Sequence, residues 1–105
     1  MSPRVSVVMA THNRAQLVGR AIASVRGQSL LDWEMICVDD GSTDETAAVI
    51  RAIGEPRVRL IQLPRNRGAS HARNVGINAA RADYVAFLDD DNERAQSSRS
   101  PPARA

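Results

Sequence analysis

Residues 33–45 read WEMICVDDGSTDE. Trp33 to Val38 is a short apolar run of the kind that forms a buried strand. It stops abruptly at Asp39-Asp40-Gly41. Ser42 and Glu45 have capping-box spacing, with Ser42 as cap, so a helix is expected next. A buried strand that ends in carboxylates and turns into a helix is one unit of a parallel α/β sheet.

The same unit recurs on both sides. Val5 to Ala10 (VSVVMA) is a β-branched strand, and Thr11-His12-Asn13 follows it. Asn13 can cap a helix whose apolar positions are Leu17, Val18, Ala21, Ile22 and Val25, with Gly27 as its stop. Ala47, Ile50 and Ile53 mark the second helix, which ends near Gly54 and Pro56. Arg57 to Leu63 alternates charged Arg57 and Arg59 with Val58 and Leu60, the pattern of a half-exposed edge strand. Asn66-Arg67-Gly68 is a turn. Ala69 to Ala80 is a helix of small residues that can lie close to a sheet. Tyr84 to Leu88 (YVAFL) is a fourth strand, ending in Asp89-Asp90-Asp91.

Helical crossovers make these strands parallel and the connections right-handed. The half-polar third strand belongs at an edge, which the spatial order 3-2-1-4 with flanking helices provides. The switch point then falls between strands one and four. Ligands of open α/β sheets bind there, beyond the carboxyl ends of the strands.

The chain has 105 residues, with 14 basic and 12 acidic side chains and one cysteine. Every basic residue is Arg. Chemistry that needs an amine is excluded, including the P-loop phosphate site and Schiff-base catalysis. One cysteine excludes a disulfide framework. Residues 1–92 balance in charge, and the net +2 comes from residues 93–105. No basic face for nucleic acid is therefore implied, and the few aromatics give no stacking platform for single strands. No apolar run approaches the ~18 residues of a membrane span. No secretory signal is read at the start, so a cytoplasmic setting is expected. After Asp91 the apolar pattern stops, and residues 93–105 are expected to be a disordered tail rich in Arg, Ser, Pro and Ala.

Five carboxylates, Asp39, Asp40, Asp89, Asp90 and Asp91, converge on one rim from two strand ends. Like charges gathered there repel unless a cation or a donor-rich ligand intervenes. Hard oxygen donors favour Mg²⁺ or Mn²⁺, commonly shared with substrate phosphates. The chemistry points to a nucleoside diphosphate bridged to the protein by a divalent ion.

The segments VSVVMATHNR, EMICVDDGSTDET and NRGASHARNVGINAARADYVAFLDDDN together resemble the nucleotide-binding half of family 2 glycosyltransferases of the GT-A fold, over residues 3–92. The resemblance implies a Rossmann-like sheet and inverting transfer of a sugar from a nucleotide-sugar, expected to be a UDP-sugar, to an acceptor hydroxyl that the sequence leaves unnamed. It gives the base-holding loop to Thr11, His12 and Asn13, with His12 where many members carry a stacking Tyr. It gives the base N–H to Asp40 with Asp39. Asp89-Asp90-Asp91 matches the Asp-x-Asp motif, with Asp91 and Asp89 on the metal and Asp90 or Asp89 on the ribose. Arg73 has a supporting place near the nucleotide.

The sequence departs from the family after Asp91. Nothing there maps onto a catalytic base or an acceptor site, so no catalytic residue is assigned. The chain is expected to be residues 1–92 of a partial nucleotide-sugar-binding domain with a foreign tail, inactive alone. Its fourth strand is expected to be an open edge prone to self-association. A non-catalytic nucleotide- or partner-binding module and a non-functional gene remnant stand as alternatives. Ser42 reads as a cap, Cys37 as core, His71 as a helix-start residue without a ligand, and Arg65 and Arg67 as solvated loop charges.

Overall fold

The computed structural model describes residues 3–27 and 32–88, and the backbone of residues 95–99. Its elements are β1 (Val5–Thr11), α1 (Ala15–Arg26), β2 (Trp33–Asp39), α2 (Thr46–Ile53), β3 (Val58–Gln62), α3 (Ala69–Ala79), β4 (Tyr84–Leu88) and β5 (Ala95–Arg99). The sheet order is β3-β2-β1-β4-β5. β1 to β4 are parallel, with Ser6 beside Glu34 and Val85, and Met35 beside Val58. The expected 3-2-1-4 order is therefore present.

Side chains alternate between two faces of the sheet. Val7, Met9, Met35, Cys37 and Leu88 pack against Val18, Ile22 and Val25 of α1 and Ile50 of α2. Val8, Ile36, Val38 and Val85 pack against Ala72 of α3 and Ala80 just beyond it. Small residues let α3 lie close: a Cβ on Gly76 would sit 2.4 Å from Val8 Cγ1. Burial pushes the Cys37 thiol up to about 12, so it stays protonated and acts as core.

β3 is half-buried, as an edge strand should be, but Arg59 within it and Arg57 just before it have partners. Arg57 lies over the Trp33 ring, 4.0 Å from its centre. Arg59 Nη1 donates to Glu34 Oε1 at 3.0 Å and to the Ala79 carbonyl at 3.0 Å. Glu34 is 5% exposed. It also accepts from the Ser6 hydroxyl at 2.6 Å and from the Arg81 N–H at 2.7 Å. Burial alone would raise its pKa. The hydrogen bonds from Ser6, Arg81 and Arg59, with the Arg59 charge, outweigh burial and lower it. A lowered folded pKa means stability that is present above the unfolded value of about 4.3. That stability is lost as pH falls through the folded value. Urea midpoints at pH 6 and pH 3 should therefore differ more for the wild-type chain than for Glu34→Gln. An equal acid sensitivity in both would exclude Glu34 as a source.

Two local expectations are corrected. α2 starts at Thr46, with Glu45 at the N-cap position and no side-chain cap, so the Ser42–Glu45 box does not form. Asp44 instead accepts the Thr46 N–H at 2.9 Å and the Thr46 hydroxyl. Nor does Asn13 cap α1, where Arg14 holds the N-cap position. The start of α1 is satisfied from the α2 loop. Arg14 N–H donates to Thr46 Oγ1 at 3.0 Å, and Ala15 N–H to Asp44 Oδ2 at 3.3 Å. The local pattern in sequence lost to a tertiary partner that serves two helices at once.

A third correction concerns the end of the chain. No element was expected after Asp91, yet residues 95–99 form β5, antiparallel to β4, with Leu88 beside Ala95 and Tyr84 beside Arg99. The outer edge of β4 is therefore paired rather than open. A free edge offers a row of N–H and C=O groups, and any backbone that returns along it can pair whatever its side chains. The remainder of residues 93–105 lies outside the described residues. Among the described residues, no helix is long and apolar enough to cross a membrane.

Candidate functional site

β1, β2 and β4 end on the same rim, because parallel strands deliver their carboxyl ends together. A cavity of about 420 Å³ opens there. Ala10, Thr11 and His12 line it from the end of β1, and Leu88 from the end of β4. It thus sits at the switch point between β1 and β4. Asp40 lines it from beyond β2, and Ala69 and Arg73 from α3.

The β2 end is built by two carboxylates with different tasks. Asp39 Oδ1 accepts the Ser42 N–H at 3.0 Å and shapes the turn. It does not line the cavity. Asp40 is 3% exposed. Its Oδ1 accepts the Arg67 N–H at 2.9 Å and its Oδ2 the Gly68 N–H at 3.0 Å. Its own N–H donates to the Thr11 carbonyl at 2.8 Å. Asp40 therefore ties the loop before α3 to the ends of β1 and β2. A carboxylate has about four lone-pair sites, so two remain for a ligand donor.

Gly41 makes this loop docking feasible. Its φ is +70°, and a Cβ there would sit 2.4 Å from the Arg65 carbonyl carbon and the Asn66 nitrogen. The chain at residues 65–66 crosses directly against the Gly41 backbone.

His12 and Asn13 form the lip of β1. His12 Nδ1 lies 2.8 Å from the Asp40 carbonyl oxygen. Asn13 has a positive φ of 52°. Its Oδ1 accepts N–H groups from Thr43 at 2.8 Å and Asp44 at 3.2 Å. Its own N–H donates to Ser42 Oγ at 2.9 Å. Asn13 borders a different surface cleft, beside Gln16, Asp44 and Glu45.

Among the sequence-derived candidates, the structure brings Thr11, His12, Asp40 and Arg73 to one cavity. Asn13 and Asp39 do not line it, and their side chains are engaged with the protein. Asp89, Asp90 and Asp91 lie outside the described residues and follow Leu88 directly in sequence. Sequence reasoning missed Arg14 and Asn66, which also line the cavity. Arg14 stood next to the Thr11-His12-Asn13 segment, and Asn66 in a turn noted only as a turn. Arg67 contributes its backbone, and its side chain is exposed as expected. Among the described residues, no group of three His, Cys, Asp or Glu is placed to hold a metal.

The profile of Glycosyl transferase family 2 matches residues 6–98. The chain is 49% identical over 90 residues to the succinoglycan biosynthesis protein ExoO of Rhizobium meliloti, covering 86% of this chain and 26% of that protein. It is 42% identical over 94 residues to the putative colanic acid biosynthesis glycosyl transferase WcaA of Escherichia coli, covering 88% of this chain and 34% of that protein. The chain thus spans about a quarter to a third of these relatives' length. The mannosyltransferase PcManGT from Pyrobaculum calidifontis, in complex with GDP-Man and Mn²⁺, superposes with a TM-score of 0.79 at 30% identity, over 87% of this chain and 28% of that one. S. aureus TarS 1–349 in complex with UDP-GlcNAc gives 0.79 at 28% identity, over 84% and 26%.

Proposed function

The chain belongs to glycosyl transferase family 2, with the parallel GT-A sheet in the order 3-2-1-4, and from that premise we propose that its cavity binds a nucleoside-diphosphate sugar. The observation that carries this reading is the cavity between the ends of β1 and β4, with His12, Asp40 and Arg73 around it. A base fits against the His12 ring, with its N–H on a free lone pair of Asp40. Arg73 supplies positive charge for the diphosphate. Asp90, with Asp89, is assigned to the ribose hydroxyls.

Mg²⁺ or Mn²⁺, when bound by Asp91 and Asp89, would neutralise the diphosphate leaving group as a Lewis acid. Carboxylate oxygens are the hard donors such ions take. The complex of PcManGT with GDP-Man and Mn²⁺ supports the ion, and that of TarS with UDP-GlcNAc supports a UDP-sugar donor. No residue of this chain is assigned to deprotonate an acceptor. The 105-residue chain is proposed to bind a donor without transferring its sugar, in the cytoplasm, a compartment that suits a single buried thiol.

Calorimetric titration with UDP and GDP, with and without Mn²⁺, tests the reading. Binding of at least one nucleotide is expected, strengthened by Mn²⁺. Asp91→Ala should remove the Mn²⁺-dependent part, an effect of about tenfold or more. Failure of both nucleotides to bind the folded chain would sink the proposal. Sugar transfer by the chain alone would refute its assignment as a binding fragment.

A further inference from the structure

We propose that Asn13 is a positioning residue that locks His12 as the Nδ1–H tautomer, leaving only the ring face for a nucleotide base. The lock follows from hydrogen-bond accounting. A carbonyl oxygen can only accept, so His12 Nδ1, 2.8 Å from the Asp40 carbonyl, must donate. A neutral imidazole carries one N–H, so Nε2 is an acceptor. Asn13 Nδ2 lies 3.2 Å from Nε2 and donates to it.

The Asn13 carboxamide is not free to turn over. Its Oδ1 accepts the Thr43 and Asp44 N–H groups and lies 3.4 Å from the Thr43 hydroxyl. Reversal would set an NH₂ group against two N–H donors. The loop before α2 therefore fixes the amide, and the amide fixes the tautomer. Asn is also suited to the positive φ of this position, which a short polar side chain tolerates better than most.

Both ring nitrogens of His12 are thus spent on the protein, although the residue lines the cavity. His12 offers a base its π-face and no hydrogen bond. Stacking accepts any base, so discrimination among bases passes to neighbouring groups such as Asp40. This inference deepens the nucleotide-binding reading, and its consequence for bases rests on that reading.

The tautomer is read without any nucleotide. Long-range ¹H–¹⁵N spectra of the full chain at pH 8.5, assigned with His71→Gln, should show His12 mainly as Nδ1–H. Asn13→Asp keeps the acceptor for Thr43 and Asp44 and removes the donor to Nε2. It should replace the Nδ1–H tautomer of His12 by Nε2–H. A wild-type Nε2–H signal, or an Asn13→Asp spectrum still showing neutral Nδ1–H, overturns the lock. His12→Phe should retain more UDP affinity than His12→Ala, which should lose about tenfold. Equal losses in the two variants overturn the ring-face role. A wild-type chain that keeps the Nδ1–H signal but binds neither UDP nor GDP supports the lock and refutes the nucleotide reading.

Discussion

Asp40→Ala is expected to cost the chain about 3–6 kcal/mol of stability, because two charge-assisted hydrogen bonds of about 1.5–3 kcal/mol each are lost. The carboxylate is 3% exposed and holds the Arg67 and Gly68 N–H groups at 2.9 and 3.0 Å. Truncation leaves both donors without a protein acceptor. A loss of this size rivals the whole stability of a small domain, which is about 5–15 kcal/mol. The same change frees the loop that walls the cavity, so nucleotide affinity should fall with it. Asp40→Asn should cost less, since its one carbonyl oxygen still accepts one of the two donors. Urea unfolding of the three proteins checks the ranking. Equal midpoints for wild type and Asp40→Ala would show that these bonds are not made in solution.

Gly41→Ala is the second large effect, and it acts through space rather than charge. The residue has a φ of +70°, which alone costs a non-glycine residue about 1–2 kcal/mol. Its new Cβ would also sit 2.4 Å from two backbone atoms, the Arg65 carbonyl carbon and the Asn66 nitrogen. No side-chain rotation relieves a clash with backbone. The crossing loop must move, adding about 1–3 kcal/mol of overpacking. Because that loop carries the Arg67 and Gly68 donors, its movement also uncouples Asp40. Gly54→Ala is the control: its φ is +67°, but no atom lies within 4 Å of the added Cβ. At about 4–8 °C per kcal/mol for a domain of this size, Gly41→Ala should lower Tm by at least about 10 °C. Gly54→Ala should lower it clearly less. Matching melting curves for the two variants would mean that residues 65–66 do not press on Gly41.

The two predictions mark where sequence patterns stop being informative. Asp40 could be singled out because two carboxylates ending an apolar strand are unusual. Its partners could not, since Arg67 and Gly68 lie 27 and 28 residues away and contribute only backbone N–H groups. Any residue but proline carries that donor, so no letter of the sequence announces it. The Glu34 cluster is similar. Glu34 is one polar position in an otherwise apolar run, and its bonds reach Ser6, Arg59 and Arg81 across up to 47 residues. Ser42 and Asn13 misled for the opposite reason. Each fits a local cap, but Ser42 Oγ accepts the Asn13 N–H, and Asn13 Oδ1 takes donors from residues 43 and 44. The expected free edge of β4 failed likewise, because strand pairing at residues 95–99 is a backbone event.

What the sequence determined by itself was periodic and contiguous. Apolar runs, helical spacing and the half-polar Arg57–Leu63 segment set the element order and placed β3 at the edge. The order then placed the cavity at the ends of β1 and β4. These follow from local geometry, since burial on one face imposes a repeat that can be read along the chain. Which residue of a polar pair faces the cavity was decided only in three dimensions. Asp40 faces it and Asp39 does not, though they are adjacent in sequence. Successive residues at a strand end point in opposite directions, and the donor each meets comes from a segment that only the fold brings near.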